Sequence, residues 1–71
     1  MQIKTRATAA EVTAVLQVTM GPDFRADARK GRKFITRWYP GTLQMSYYGT
    51  GKTWDEAVSA ARVRLDAEVS K

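Results

Sequence analysis

Neither cysteine nor histidine occurs anywhere in these 71 residues, and that double absence constrains the fold more than any motif does. A chain this short buries only about 60% of the surface its unfolded form exposes. Domains of this size often close the deficit with disulfides or a structural metal. Here no disulfide can form and neither thiolate nor imidazole can hold zinc, so the fold must stand on its apolar core. Material for one core is present: 44% of the residues are hydrophobic and 27% charged, with five Gly and two Pro, the balance of a folded domain and not of a disordered tail. The length allows a single domain over residues 1–71. No run without a charge approaches the roughly 20 apolar residues that span a bilayer: residues 12–22 are one such run, and the longest, residues 38–51, is broken by Pro40 and three glycines; no secretory pattern opens the chain. A cysteine-free chain of this kind suits the cytoplasm.

The C-terminal third carries the clearest pattern. Thr53, Trp54, Asp55 and Glu56 fit a capping box, with the Thr53 hydroxyl accepting from the Glu56 amide and the Glu56 carboxylate reaching back to the Thr53 amide. Downstream, Trp54, Ala57, Val58, Ala61, Leu65 and Val69 recur every three or four residues, which lays one apolar stripe along a helix. Before it, residues 33–39 and 42–48 are rich in aromatic and β-branched side chains and are separated by Pro40-Gly41, which predicts a hairpin. Alternation puts Phe34, Thr36 and Trp38 on one face with Lys33, Ile35, Arg37 and Tyr39 on the other, and separates Leu43, Met45 and Tyr47 from Gln44, Ser46 and Tyr48. Residues 24–30 alternate as well and read as an outer strand, with Gly31 at the turn into the next.

Residues 8–20 carry two patterns. Thr8 to Glu11 is a second capping box, followed by Val12, Leu16 and Met20 at four-residue steps and closed by Gly21-Pro22. The same stretch also alternates at period two through Val12, Ala14, Leu16, Val18 and Met20. The helix is preferred, giving an α+β chain of order α-β-β-β-α with an antiparallel three-stranded sheet packed on helices. The strand reading gives four strands and one C-terminal helix.

Charge is distributed unevenly. The net +5 is carried by residues 24–39, where Arg25, Arg29, Lys30, Arg32, Lys33 and Arg37 face the single anion Asp27, while the six cations and six anions elsewhere balance. A concentrated field attracts polyanions or acidic surfaces, whereas scattered charge mainly confers solubility. Aromatic residues interleave with these cations. Trp38, Tyr47 and Trp54 are assigned to the core by their faces, and Tyr39 and Tyr48, sharing a face with Arg37, are the contact candidates.

Gly51-Lys52-Thr53 matches the end of a phosphate-binding P-loop, but Ser46 stands where that pattern requires glycine, and the chain is too short for the parallel sheet such loops serve. The glycines are read as a strand-to-helix turn. The segment from Gly49 through Lys52 and Thr53 to Ala57, Ala61 and Leu65 resembles the last strand and helix of double-stranded RNA-binding domains. That resemblance implies the α-β-β-β-α order and, through Lys52 and Thr53, a contact to phosphate. The lysines with which that family grips phosphates across the major groove are replaced here by Trp54, Asp55 and Val58.

Catalysis lacks equipment: without Cys or His, the adjacent acids Asp55 and Glu56 are accounted for by capping, and no nucleophile, base and orienter can be assembled. The chain is expected to be a binding module and not an enzyme, with no metal, small-molecule cofactor or membrane among its partners. The leading expectation is nucleic-acid binding through the phosphate backbone, by Arg25, Arg29, Lys30, Arg32, Lys33, Arg37, Tyr39, Tyr48 and Lys52. The alternative is a protein-binding modulator, similar to the small inhibitors that bacteriophages direct at host polymerases or defence complexes, which would dock on an acidic or nucleic-acid-binding protein surface.

Overall fold

A computed structural model describes residues 6–42 and 44–70. The order is α1 (Ala9–Thr19), β1 (Phe24–Arg29), β2 (Arg32–Trp38), β3 (Met45–Gly51) and α2 (Trp54–Val69), an α+β chain with one antiparallel sheet in the order β1-β2-β3. The helical reading of residues 8–20 is therefore the one the chain adopts. Thr8 closes a complete capping box with Glu11, and Val12 and Leu16 bury the stripe that the four-residue steps laid down. At the other end Met20 and Gly21 both donate their amides to the Leu16 carbonyl, and Gly21 takes φ +145°, which only glycine adopts without strain.

The second box forms by halves. The Thr53 hydroxyl accepts from the Glu56 amide, but the Glu56 carboxylate accepts from the Lys52 amide one residue upstream of the expected position. The apolar stripe of α2 is buried through Trp54, Ala57, Val58 and Ala61 and runs out beyond Leu65, leaving Val69 exposed.

Both helices cover one face of the sheet. Among the described residues, Val12, Leu16, Phe24, Ile35, Tyr48, Trp54, Ala57, Val58 and Ala61 form one buried cluster. The Trp54 indole donates to the Ala7 carbonyl at 2.9 Å, which ties the start of α2 to the approach of α1. Along the outer edge of β1, Thr13 of α1 accepts the Ala26 amide at 2.9 Å, satisfying a donor the sheet leaves unpaired.

The predicted hairpin turn is wider than the sequence implies. Thr42 donates to the Tyr39 carbonyl with Pro40 and Gly41 (φ +78°) between them, and Tyr39 donates to the Gln44 carbonyl beyond, so β3 begins at Met45. Leu43, placed on a strand face by alternation, lies outside the described residues. β3 also extends through Gly49 to Gly51, where a turn was expected. These glycines let α2 sit against the strand: a Cβ on Gly49 would fall 2.1 Å from the Ala57 carbonyl oxygen and 2.6 Å from the Ala61 nitrogen.

The assignment of faces is reversed from the sequence reading. Ile35 pairs with Gly49 but Thr36 pairs with Tyr47, so Tyr48 is the extra residue of a β-bulge. Tyr48 and Gly49 therefore both face the helices. Tyr48 is 4% exposed, edge-on to Phe24 at 5.1 Å, while Tyr47 is 53% exposed. On β2, Ile35 goes to the core, and Phe34, Thr36 and Trp38 point to the side no helix covers.

Candidate functional site

The uncovered sheet face follows from register. Cross-strand partners share a face, and the pairs Arg25 with Thr36, Asp27 with Phe34, Arg29 with Arg32, Thr36 with Tyr47, and Trp38 with Met45 all lie on it. Three arginines thus surround three rings, Phe34, Trp38 and Tyr47. The Arg25 guanidinium lies over the Trp38 indole, 5.4 Å from the ring centroid, and Phe34 and Tyr47 meet at 5.8 Å, tilted by 59°. Between the rings Thr36 is 4% exposed and donates its hydroxyl to the Arg25 carbonyl, so the floor is low and its polar atom is satisfied. Two shallow hollows result. One, of about 290 Å³, lies beside Pro22, Tyr39 and Pro40; the other, of about 270 Å³, lies beside Met45 and Tyr47. Arg25 and Trp38 form a wall of both.

The face continues into the β1–β2 turn, whose tip is Lys30-Gly31. Lys30 has φ +50° and Gly31 φ +77°, the left-handed pair of a two-residue hairpin. Asn-Gly suits that geometry best, and a lysine there carries strain of about 1 kcal/mol. Behind it Arg29 and Arg32 stand directly opposite each other, a like-charge pair that costs stability. Asp27 relieves only one of them, at 3.0 Å from Arg29. The register also brings Lys33 opposite Gly51, so Lys52 falls at the same end of the sheet. Arg25, Lys30, Arg32 and Lys52 are exposed and make no ion pair with any described residue. Cations are gathered here against the preference of the fold.

Two of the expected site residues leave the patch. Arg37, on the helix side of β2, donates to the Tyr48 hydroxyl at 3.1 Å and lies 3.6 Å from the Glu68 carboxylate. The rings of Phe24, Tyr39 and Tyr48 surround its guanidinium at 5.5–5.8 Å. The hydrogen bond to Tyr48, with smaller help from nearby tyrosines and Glu68, holds it above its ordinary pKa despite partial burial. Arg37 is a structural cation that closes the end of the core. Tyr48, read as a contact residue, is instead buried, because the face it shares with Ile35 and Arg37 is the one the helices cover. Burial pushes its hydroxyl pKa up, and its 2.7 Å hydrogen bond to Glu68 raises it further. Arg64 completes the group, over the Tyr48 ring at 4.5 Å and bonded to the Tyr47 carbonyl.

Of the remaining expected residues, Lys33 is half-buried with its ammonium over the Trp54 ring at 5.2 Å, and Tyr39 is 37% exposed at the end of the sheet away from the hairpin tip. Arg25, Arg29, Lys30 and Arg32 share the open face and its tip, with Lys52 beside them. The sequence reading missed Phe34, Met45, Trp38 and Tyr47 as surface residues. No local signal separates the two faces, since Phe34 and Trp38 offer as much apolar surface to a core as Ile35 does, and Met45 and Tyr47 follow them through the β2–β3 register.

The chain matches no protein-family model, no curated protein and no solved structure. Among the described residues no helix is long and apolar enough to cross a membrane.

Proposed function

We propose that the protein binds nucleic acid through the open face of its sheet and the adjoining hairpin tip. The observation that carries this reading is the placement of Phe34, Trp38 and Tyr47 among Arg25, Arg29 and Arg32 on a face that neither helix covers. Guanidinium groups engage phosphate oxygens bidentately, and each phosphate neutralised releases counterions, so affinity falls with salt. The binding set is Arg25, Arg29, Lys30, Arg32 and Lys52, with Lys33 at its margin; Arg37 and Tyr48 belong to the core. The half-exposed rings give the face apolar area that a purely solvating surface would not need. No side chain of the α2 start replaces the missing lysines, since Trp54 and Val58 are buried.

A salt-series titration of the wild-type chain and the Arg25→Gln/Arg32→Gln double variant against labelled oligonucleotides tests the reading. The double variant is expected to bind more weakly, with a salt slope shallower by about 0.7–0.9 for each phosphate left without its cation. Equal affinity and equal slope would remove the open face from the account.

A further inference from the structure

We infer that the ligand is a single strand, held by stacking of successive unpaired bases against Trp38 and Tyr47. This rests on the nucleic-acid reading above and specifies its substrate. In a duplex the base faces are buried against one another, and only edges and phosphates are offered to a protein. Rings standing out of a sheet would then meet sugar and phosphate, and their apolar area would gain little. An unpaired strand offers a π-face from every base, and stacking on an aromatic side chain is worth enough to show in affinity whatever the sequence.

The geometry fits such a strand. Trp38 pairs with Met45, two residues before Tyr47 on β3, so the two rings are diagonal neighbours with about 7–8 Å between their backbones. Thr36, short and buried between them, keeps the floor down. At about 290 and 270 Å³ the hollows on either side of Trp38 lie below the range of sites that enclose a whole small molecule, while each is open enough to take a flat ring. Arg25 lines both hollows and lies over the indole, which puts a phosphate partner beside the stacking surface. Cations outnumber acids along this surface: Asp27 is already paired with Arg29, and Asp23 lines only the hollow beside Pro22, together with Arg25.

The test uses the full chain with an oligo-dT strand and a mixed-sequence duplex of matched length. Trp54 is buried at 2% exposure, so quenching of tryptophan fluorescence on titration reports Trp38. The single strand is expected to quench this emission and to bind more tightly than the duplex. Tyr47→Ser should weaken single-strand binding about ten-fold with the salt slope unchanged, because no cation is removed, and Tyr47→Phe should bind as the wild type does. Since Tyr47 is half exposed, an unchanged melting midpoint confirms that the Ser variant is folded. Equal or tighter binding of the duplex, with no quenching and no effect of Tyr47→Ser, overturns the single-strand inference and leaves the nucleic-acid reading standing. Absence of binding to either probe overturns both.

Discussion

Replacing Gly49 by alanine should damage this fold more than any other single methyl group added to it. The new Cβ would lie 2.1 Å from the Ala57 carbonyl oxygen, 2.6 Å from the Ala61 nitrogen and 3.1 Å from the Ala61 Cβ. The first two are backbone atoms of α2, which no rotamer change can move aside. The helix must withdraw by roughly 1 Å, and a gap of that size forfeits a quarter to a half of the van der Waals attraction across it, here that of Ala57 and Ala61 against β3. Overpacking costs about 1–3 kcal/mol, and the rigid obstacle puts Gly49→Ala at the upper end, about 3 kcal/mol. A domain of this length holds only about 4–11 kcal/mol in total. The melting midpoint, followed by far-ultraviolet circular dichroism, should fall by about 12–24 °C. Gly31→Ala, in open space but at φ +77°, should cost only about 1 kcal/mol. A smaller fall for Gly49→Ala than for Gly31→Ala would refute the close packing of α2 on β3.

Thr13→Val should cost about 1–3 kcal/mol in chemical denaturation, because the Ala26 amide at the β1 edge loses the acceptor it reaches at 2.9 Å. Lys30→Asn should raise the midpoint, by relief of up to about 1 kcal/mol at φ +50°, while weakening oligonucleotide binding. Arg37→Gln should do the reverse, lowering stability with the salt slope of binding unchanged, since its guanidinium is committed to Tyr48 and Glu68. The raised pKa of Tyr48 keeps its stabilising contribution complete below the unfolded value of about 10; it is lost as pH rises through the higher folded value. The difference in melting midpoint between wild type and Tyr48→Phe should therefore be constant up to about pH 10 and shift against the wild type above it. Tyr39, lowered chiefly by hydrogen bonding to Ser46, contributes in the opposite sense.

The element order was legible because its signals are local. Thr8 with Glu11, the four-residue steps of Val12 and Leu16, and the stripe from Trp54 to Ala61 each encode helix within a few residues. The strand faces were not legible, for two reasons. On β2 the alternation is unambiguous but does not say which set is buried: Phe34 and Trp38 offer more apolar area than Ile35, and only the helices, arriving from distant sequence, choose Ile35. On β3 the bulge at Tyr48 breaks the alternation, and nothing within the strand announces it. The close approach of Gly49 to Ala57 and Ala61 fixes the bulge, and that packing is tertiary. The cation cluster was visible as a run, whereas its division between the open face and the Arg37 site depended on those same faces.

Mapping amide chemical-shift changes on an isotopically labelled chain during titration with an oligo-dT strand tests the central claim most directly. The shifts are expected to concentrate on Arg25, Arg29 to Arg32, Phe34, Thr36, Trp38, Met45 and Tyr47, while the outward faces of α1 and α2 stay silent. Shifts centred on the exposed helix surfaces around Val18, Arg62 and Val63, with the sheet face unmoved, would contradict it.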